Sequence, residues 1–347
     1  MKKWIALAIG TTLIFFVGRT LYTAGSFKTI HNHLEGSVKN IYTEMPGTED
    51  LEVDYEKGLL IISSSDRWKT MRGEASDDGI YLLSLDSGSR PKKLTTTYEG
   101  EFHPHGISYL KSDSGSFLFA VNHNKEGNFV EIFNFSQDTL FHLRSITDPV
   151  MCCPNDVVAV AKNKFYVTND HGSPKGLMRT LEEYLQIPRS YLLYFDGVAF
   201  SKVLEGIKYG NGVNISRNGQ KIFLATTTGR TLLTFDRDRE TGKLELADEL
   251  NLKSGIDNIS VDEDGNLWIG AHPKMLAFVG HAKDPHNPSP SQVLKLTPDG
   301  NGSYSVREIY LDDGNQLSGS SVAVHYKNEL FVGAVFESKL LRATINE

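Results

Sequence analysis

Cysteine is nearly absent from these 347 residues: there are two, adjacent at Cys152-Cys153, so no disulfide framework holds the chain together. Long runs of Lys or Arg are also missing, and 36 basic against 43 acidic residues leave a net charge of −7. A phosphate backbone needs a basic face, so nucleic acid is excluded as a partner. A neutral small molecule or a bound cation suits this surface better. Membrane-length apolar runs of about 20 residues do not recur along the chain, which excludes a polytopic membrane protein. With 39% hydrophobic residues, and 31 glycines and 12 prolines in no repeating triplet, the chain is neither disordered nor collagenous.

One apolar run does stand out. Met1-Lys2-Lys3 precedes the stretch Trp4–Val17, and Arg19 follows it. A basic start and a short apolar segment describe an export signal in residues 1–25, either cleaved or kept as an anchor. Either outcome places residues 26–347 outside the cytoplasm: secreted, periplasmic or held at a membrane. Thr23-Ala24-Gly25 is the nearest small-residue stretch for cleavage, and Arg19 interrupts the approach to it.

Beyond residue 45 one pattern keeps returning: a polar pair, a short strand, a Gly- or Asn-containing turn, then an apolar strand. The instances begin at Leu51, Ile107, Val157, Val213, Ile259 and Val322, spaced 46 to 63 residues apart. Each alternates apolar and polar residues around a turn and reads as a β-hairpin. Further strands are expected at Tyr81–Leu85, Phe129–Phe133, Tyr191–Phe195, Thr231–Phe235 and Val293–Leu296. Roughly fifty residues and four strands per unit are propeller-blade dimensions. The fold expected is all-β, a six-bladed β-propeller in one domain, with an N-terminal hydrophobic helix. Leu177–Leu185 has helical spacing and is either a decorated connection or a lid; Asp284–Pro290 reads as a surface loop.

The first strand of a blade lies innermost. The pairs just before these strands, Glu49-Asp50, His105-Gly106, Asn155-Asp156, Asn211-Gly212, Asp257-Asn258 and Gly319-Ser320, therefore ring one mouth of the central channel. Carboxylates and amides dominate, and clustered carboxylates need a counter-charge. Calcium, which takes six to eight oxygen ligands, fits such a set better than zinc or magnesium. His105 opens the second hairpin and His123 closes it, so both should face the same mouth, where an imidazole pair can activate water. His103 and His272 are weaker candidates.

These residues carry a resemblance. Thr48-Glu49-Asp50-Leu51, His103-Pro104-His105-Gly106-Ile107, Asn122-His123, Asn155-Asp156-Val157, Thr168-Asn169-Asp170-His171, Asn211-Gly212-Val213, Asp257-Asn258-Ile259 and Trp268-Ile269-Gly270-Ala271-His272 resemble serum paraoxonases, in order and at matching spacing. The resemblance implies a six-bladed propeller that hydrolyses lactones and aryl esters with calcium. It implies a catalytic Ca²⁺ on Glu49, Asn155, Asn211, Asp257 and Asn258, and a structural Ca²⁺ on Asp50, Asp156 and the carbonyl of Ile107. His105 and His123 match a histidine dyad, Tyr209 a pocket-wall aromatic, and Leu177–Leu185 a lipid-facing helix beside the active site. The base is His105 assisted by His123, with Asp257 or a metal-bound water as alternatives. A gluconolactonase- or phosphotriesterase-like hydrolase, and a non-catalytic propeller braced by calcium, are the competing readings.

The chain departs from the family in three places. Neither terminus carries the cysteine that joins the ends in mammalian members, so the last blade must close by strand pairing, with Leu340–Ile345 against a segment before Glu49. Ala271 replaces a family cysteine. Cys152-Cys153 has no family counterpart and is either two free thiols or a vicinal ring.

Overall fold

The six hairpins all form, and each grows into a blade of an all-β six-bladed propeller. The computed structural model describes residues 1–86, 89–300 and 302–346. Blade 1 holds strands Thr48–Asp54, Leu59–Ser64, Gly79–Ser84 and Lys92–Lys93, and blade 2 holds Pro104–Ser112, Gly115–Asn124, Gly127–Ser136 and Thr139–Ile146. Blades 3 and 4 start at Pro154–Ala161 and Gly210–Ile215, and blades 5 and 6 at Gly255–Val261 and Ser320–Tyr326. All blades are antiparallel, and in the first four, and in the four main strands of blade 5, sequence order is also spatial order.

Blade 6 is the exception that closes the ring. Its outer strand is Gly36–Tyr42, paired with Leu340–Ile345 from Gly36↔Ile345 to Tyr42↔Leu340. Strand pairing thus joins the chain ends without a disulfide, as expected from the missing cysteines. His33–Leu34 extends this belt onto blade 5, pairing with Leu311 and Tyr310.

Packing is circular in the same way. Each of six apolar clusters lies between neighbouring blades. Leu59, Ile61 and Ile107 belong to the cluster between blades 1 and 2; Leu51, Leu60, Val322 and Phe331 belong to the one between blades 6 and 1. Both faces of most strands are therefore buried, which accounts for continuous runs such as Leu59-Leu60-Ile61-Ile62 where one-sided sheets would alternate.

The innermost strands begin two to four residues before the positions read from the sequence. The reason is a break in register near the start of every one of them, between Thr48 and Asp50, Pro104 and Ile107, Pro154 and Val157, Gly210 and Val213, Ile256 and Ile259, and Ser320 and Val322. Alternation fails at a bulge, so the extra residues read as loop. A bulge also releases side chains from the two faces of the sheet. Glu49, His105, Asn155, Asp156, Asn211, Asp257 and Asn258 all lie within these six breaks.

Glycine makes the convergence possible. A Cβ on Gly106 would stand 2.4 Å from Asp156 Cα, and one on Gly212 would stand 2.6 Å from Asn258 Cα. Only glycine lets neighbouring inner strands approach so closely.

Four helices decorate the propeller among the described residues. The expected helix is present as α3, Leu177–Leu185. The N-terminal helix α1, Lys2–Thr23, is long and apolar enough to cross a membrane. It runs past the apolar stretch Trp4–Val17 and through Gly18 to Thr23, and Gly25, at φ 71°, stands just beyond its end. Two short helices were not foreseen: α2, Arg67–Arg72, and α4, Met275–Lys283. The foot of α1 docks on α3 and α4. Thr20 Oγ1 donates to Tyr184 O, Gln186 Nε2 donates to Thr23 Oγ1, and Met275 N donates to Ala24 O.

Candidate active site

Glu49, Asn155, Asn211 and Asp257 come from four different blades and line one cavity of about 340 Å³, together with His105, Tyr209 and His272. Asn258 joins them through Nδ2, which donates to Glu49 Oε1 at 3.0 Å and Glu49 O at 3.1 Å. All five candidate oxygen donors are buried. Glu49 Oε2, Asn155 Oδ1, Asn211 Oδ1 and Asn258 Oδ1 accept no hydrogen bond. Proteins almost always satisfy such buried oxygens, and leaving one bare costs roughly 1–3 kcal/mol. Four together describe a seat for a hard cation. Among the described residues no group of three His, Cys, Asp or Glu is placed to hold a metal. Amide-rich oxygen donors remain, which is the chemistry of calcium.

The charges agree with that reading. Burial works to raise Glu49, but His105, Arg67 and Asn258 outweigh it and hold the carboxyl at about 2. Arg67 on α2 is a contributor that went unread in the sequence; its Nη2 is 3.7 Å from Glu49 Oε2. Burial raises Asp257, against a bond of 2.8 Å from its Oδ2 to His272 Nε2. His272 is thus the partner that orients Asp257, and Phe278 of α4 stacks on it at 3.9 Å between ring centres.

Asp50 and Asp156 are buried but do not line this cavity. Asp50 Oδ2 accepts the N–H of Ile107 at 2.7 Å, and Asp156 Oδ2 accepts the N–H of Val213 at 2.7 Å, so each carboxylate ties its blade to the next. Burial pushes Asp50 well above the carboxylate range, with Asp156 and Glu49 adding to it. Asp156 is raised as well, by burial first and then by the Glu49 charge. A cation beside this pair would reverse both shifts.

His105 and His123 meet, Nδ1 to Nε2, at 3.0 Å. Asn128, which the sequence reading passed over, fixes their protons. Its Nδ2 donates to the carbonyls of Met151 and Cys152, so its Oδ1 must accept from His123 Nδ1 at 2.8 Å. A neutral His123 then accepts at Nε2 from His105 Nδ1, and His105 Nε2 faces Glu49 Oε1 at 3.4 Å. His103 plays no part in this line: its ring is held by Asp78 and Glu101.

Burial, reinforced by His105, pushes His123 down to about 4. Between pH 6.5 and about 4 the unfolded chain binds a proton at this ring that the folded chain does not. Stability is therefore lost as pH falls through that window, by up to about 3 kcal/mol from this residue. Thermal melts at pH 7 and pH 4.5 should show a smaller acid drop for His123→Gln than for the parent protein. Equal drops would contradict the burial argument.

Helix α3 borders the cavity. Tyr184 and Glu183 line the cavity. Below the helix His171 bridges Asp170, at 2.6 Å, and Glu183, at 3.0 Å. Burial would lower His171, but these two carboxylates prevail and raise it to about 9. A second cavity of about 1440 Å³ adjoins the first across His105, Arg67 and Arg179 and is lined further by His123, Cys152 and Cys153.

Comparison with known proteins agrees with this geometry. The arylesterase family model matches residues 45–343. The chain is 33% identical to serum paraoxonase/arylesterase 2 of Gallus gallus, over 87% of this chain and 86% of that protein. It is 32% identical to serum paraoxonase/arylesterase 1 of Homo sapiens, with the same coverage. Among solved structures, a gluconolactonase from Xanthomonas campestris shares the fold at TM-score 0.54 and 13% identity, over 92% of this chain and 99% of that one. A luciferin-regenerating enzyme does so at TM-score 0.55 and 12% identity, over 88% and 95%. By the family match over residues 45–343 and its identity to these relatives, the chain belongs to the arylesterase family.

Proposed function

We propose that this propeller is a calcium-dependent hydrolase of lactones and aryl esters. Family membership supports an esterase or lactonase. The metal and the base are the finer reading, and the observation that carries them is the group of four unsatisfied buried oxygens, with His105 Nε2 3.4 Å from the Glu49 carboxylate. Glu49, Asn155, Asn211, Asp257 and Asn258 would hold one ion; Asp50, Asp156 and the carbonyl of Ile107 would hold a second, structural one. When bound, the first ion supplies Lewis-acid polarisation of the substrate carbonyl and positive charge for the developing oxyanion.

The protein's own groups supply the rest. His105 Nε2 takes a proton from the attacking water, and Glu49 Oε1, 3.4 Å away, favours the imidazolium that results. His123 and Asn128 hold the tautomer that leaves this nitrogen without a proton. His272 keeps Asp257 in place. Tyr209, Phe278, Leu276 and Val279 give the cavity an apolar wall that receives an acyl chain or ring. Helix α3, at the border of the cavity, limits water around the ester.

Helix α1 is proposed as the export segment, cleaved or retained, with the propeller outside the cytoplasm. If retained, its exposed Trp4, Ile5, Leu7, Ile14, Phe15 and Val17 would anchor the protein. Leu177, Met178 and Leu185 on α3 are also exposed and would lie toward the same membrane.

A parallel assay of an aliphatic lactone, phenyl acetate and a phosphotriester, each with Ca²⁺ and with excess chelator, tests the reading. Lactone and aryl ester should be hydrolysed at least about tenfold faster than the phosphotriester, and only with Ca²⁺. Calcium-dependent melting without hydrolysis would make this a calcium-braced binding propeller.

A further inference from the structure

The adjacent thiols occupy a place the hydrolytic scheme leaves unused. Cys152 is half-buried and Cys153 buried, in the loop that enters blade 3, and both line the larger cavity beside His123. Both are free thiols, with their Sγ atoms 2.9 Å apart. The peptide that joins them is clamped on both sides: the Cys152 carbonyl accepts from Asn128 Nδ2 at 3.0 Å, and the Cys153 N–H donates to Asn169 Oδ1 at 3.1 Å. Asn128 in turn carries His123. The link between the two sulfurs is thus part of the mount of the histidine pair.

We propose that Cys152 and Cys153 are a modification site, a dithiol that closes to a vicinal disulfide by exchange with a small-molecule disulfide, and that closure loosens the seat of His123. Cys152, the more exposed, attacks one sulfur of the oxidant as thiolate. The oxidant's S–S bond breaks and one thiol leaves with the electron pair and a proton. Cys153 then attacks Cys152 Sγ in the mixed disulfide and expels the second thiol. Two protein thiols are oxidised to one S–S bond while one disulfide is reduced to two thiols.

Bond formation draws the sulfurs from 2.9 Å to about 2.05 Å and sets their dihedral near 90°. The resulting eight-membered ring contains the Cys152–Cys153 peptide, which must turn to accommodate it. Turning draws the Cys152 carbonyl away from Asn128, and the Asn128–His123 bond weakens with it. An oxidising compartment, the destination of an exported propeller, is where such a bond persists.

The effect on rate rests on the hydrolase reading; ring closure and the movement of His123 do not. The full chain is treated with oxidised glutathione and followed by intact mass, by the imidazole resonances of His123 (assigned with His123→Gln), and by phenyl acetate hydrolysis. The proposal expects a mass lower by about 2 Da with both thiols lost and no adduct. It expects shifted His123 resonances and a rate reduced about threefold or more, all reversed by dithiothreitol. Cys152→Ser should lose the response of rate, mass and His123 resonances to oxidised glutathione. Persistent thiols, accumulated glutathione adducts, or a closed ring with unmoved His123 resonances would overturn the proposal. A protein that closes the ring and shifts His123 but hydrolyses nothing before treatment would sink the hydrolase reading alone.

Discussion

Glu49→Ala and Asp257→Ala are each expected to lower kcat/KM for lactones and aryl esters by about 10³-fold or more. Glu49 and Asp257 are the two carboxylates among the five proposed donors, and together they would balance the charge of one divalent ion. Removing either leaves Asn155, Asn211 and Asn258 as neutral ligands with one counter-charge between them. The fold should survive. Both residues sit in bulges where the ladder is already interrupted, and the strands on either side keep their pairing. His105→Gln differs in kind. It removes the proposed base but not the donors, so its losses should be smaller and unequal across substrates, larger where the leaving group is poor. Steady-state kinetics on the three variants, with melting curves as a control for folding, separates these outcomes. An Asp257→Ala protein that keeps more than about a tenth of parental activity would contradict the charge argument.

Calcium removal is expected to abolish activity and to lower the melting temperature in the same titration. The stability effect comes from the Asp50 and Asp156 pair. Without a cation, burial and mutual repulsion oppose the charges of Asp50 and Asp156, yet the same two carboxylates tie blade 1 to blade 2 and blade 3 to blade 4. A bound ion at about a thousand times its dissociation constant stabilises the folded state by roughly 4 kcal/mol, all of which a chelator withdraws. Activity should return with added Ca²⁺ and not with Mg²⁺, which holds its waters and demands a tight octahedron. Unchanged melting and unchanged turnover after exhaustive chelation would remove the metal from the account.

The propeller could be read from the chain because each blade repeats a hairpin whose alternation and turn residues are local. Blade 6 could be read too, since the missing terminal cysteines left strand pairing as the means of closure. Local signals end at the bulges. Glu49, Asn155 and Asp257 were visible as polar pairs where alternation stops and through the motifs that resemble the family, and the broken register that aims them at one cavity leaves no trace of its own. Helix α2 had a signal: Asp66 caps it by accepting from Lys69 N, and Gly73 ends it at φ 71°. Helix α4 had none, because no side chain caps its start at Lys274. Asn128 was hidden for another reason. Its role depends on register, which places it opposite His123, and on carbonyls more than twenty residues away. The docking of α1 on α3 crosses 164 residues and follows no pattern in the chain.

The most direct test of the shared-ion account is a crystal structure of the protein grown with Ca²⁺, examined by anomalous scattering. The account predicts a calcium peak within about 2.3–2.6 Å of Glu49 Oε2, Asn155 Oδ1, Asn211 Oδ1 and Asn258 Oδ1, with an Asp257 oxygen completing the set. A cavity whose calcium lies elsewhere, or whose four oxygens are each bonded to a protein donor instead, would contradict it.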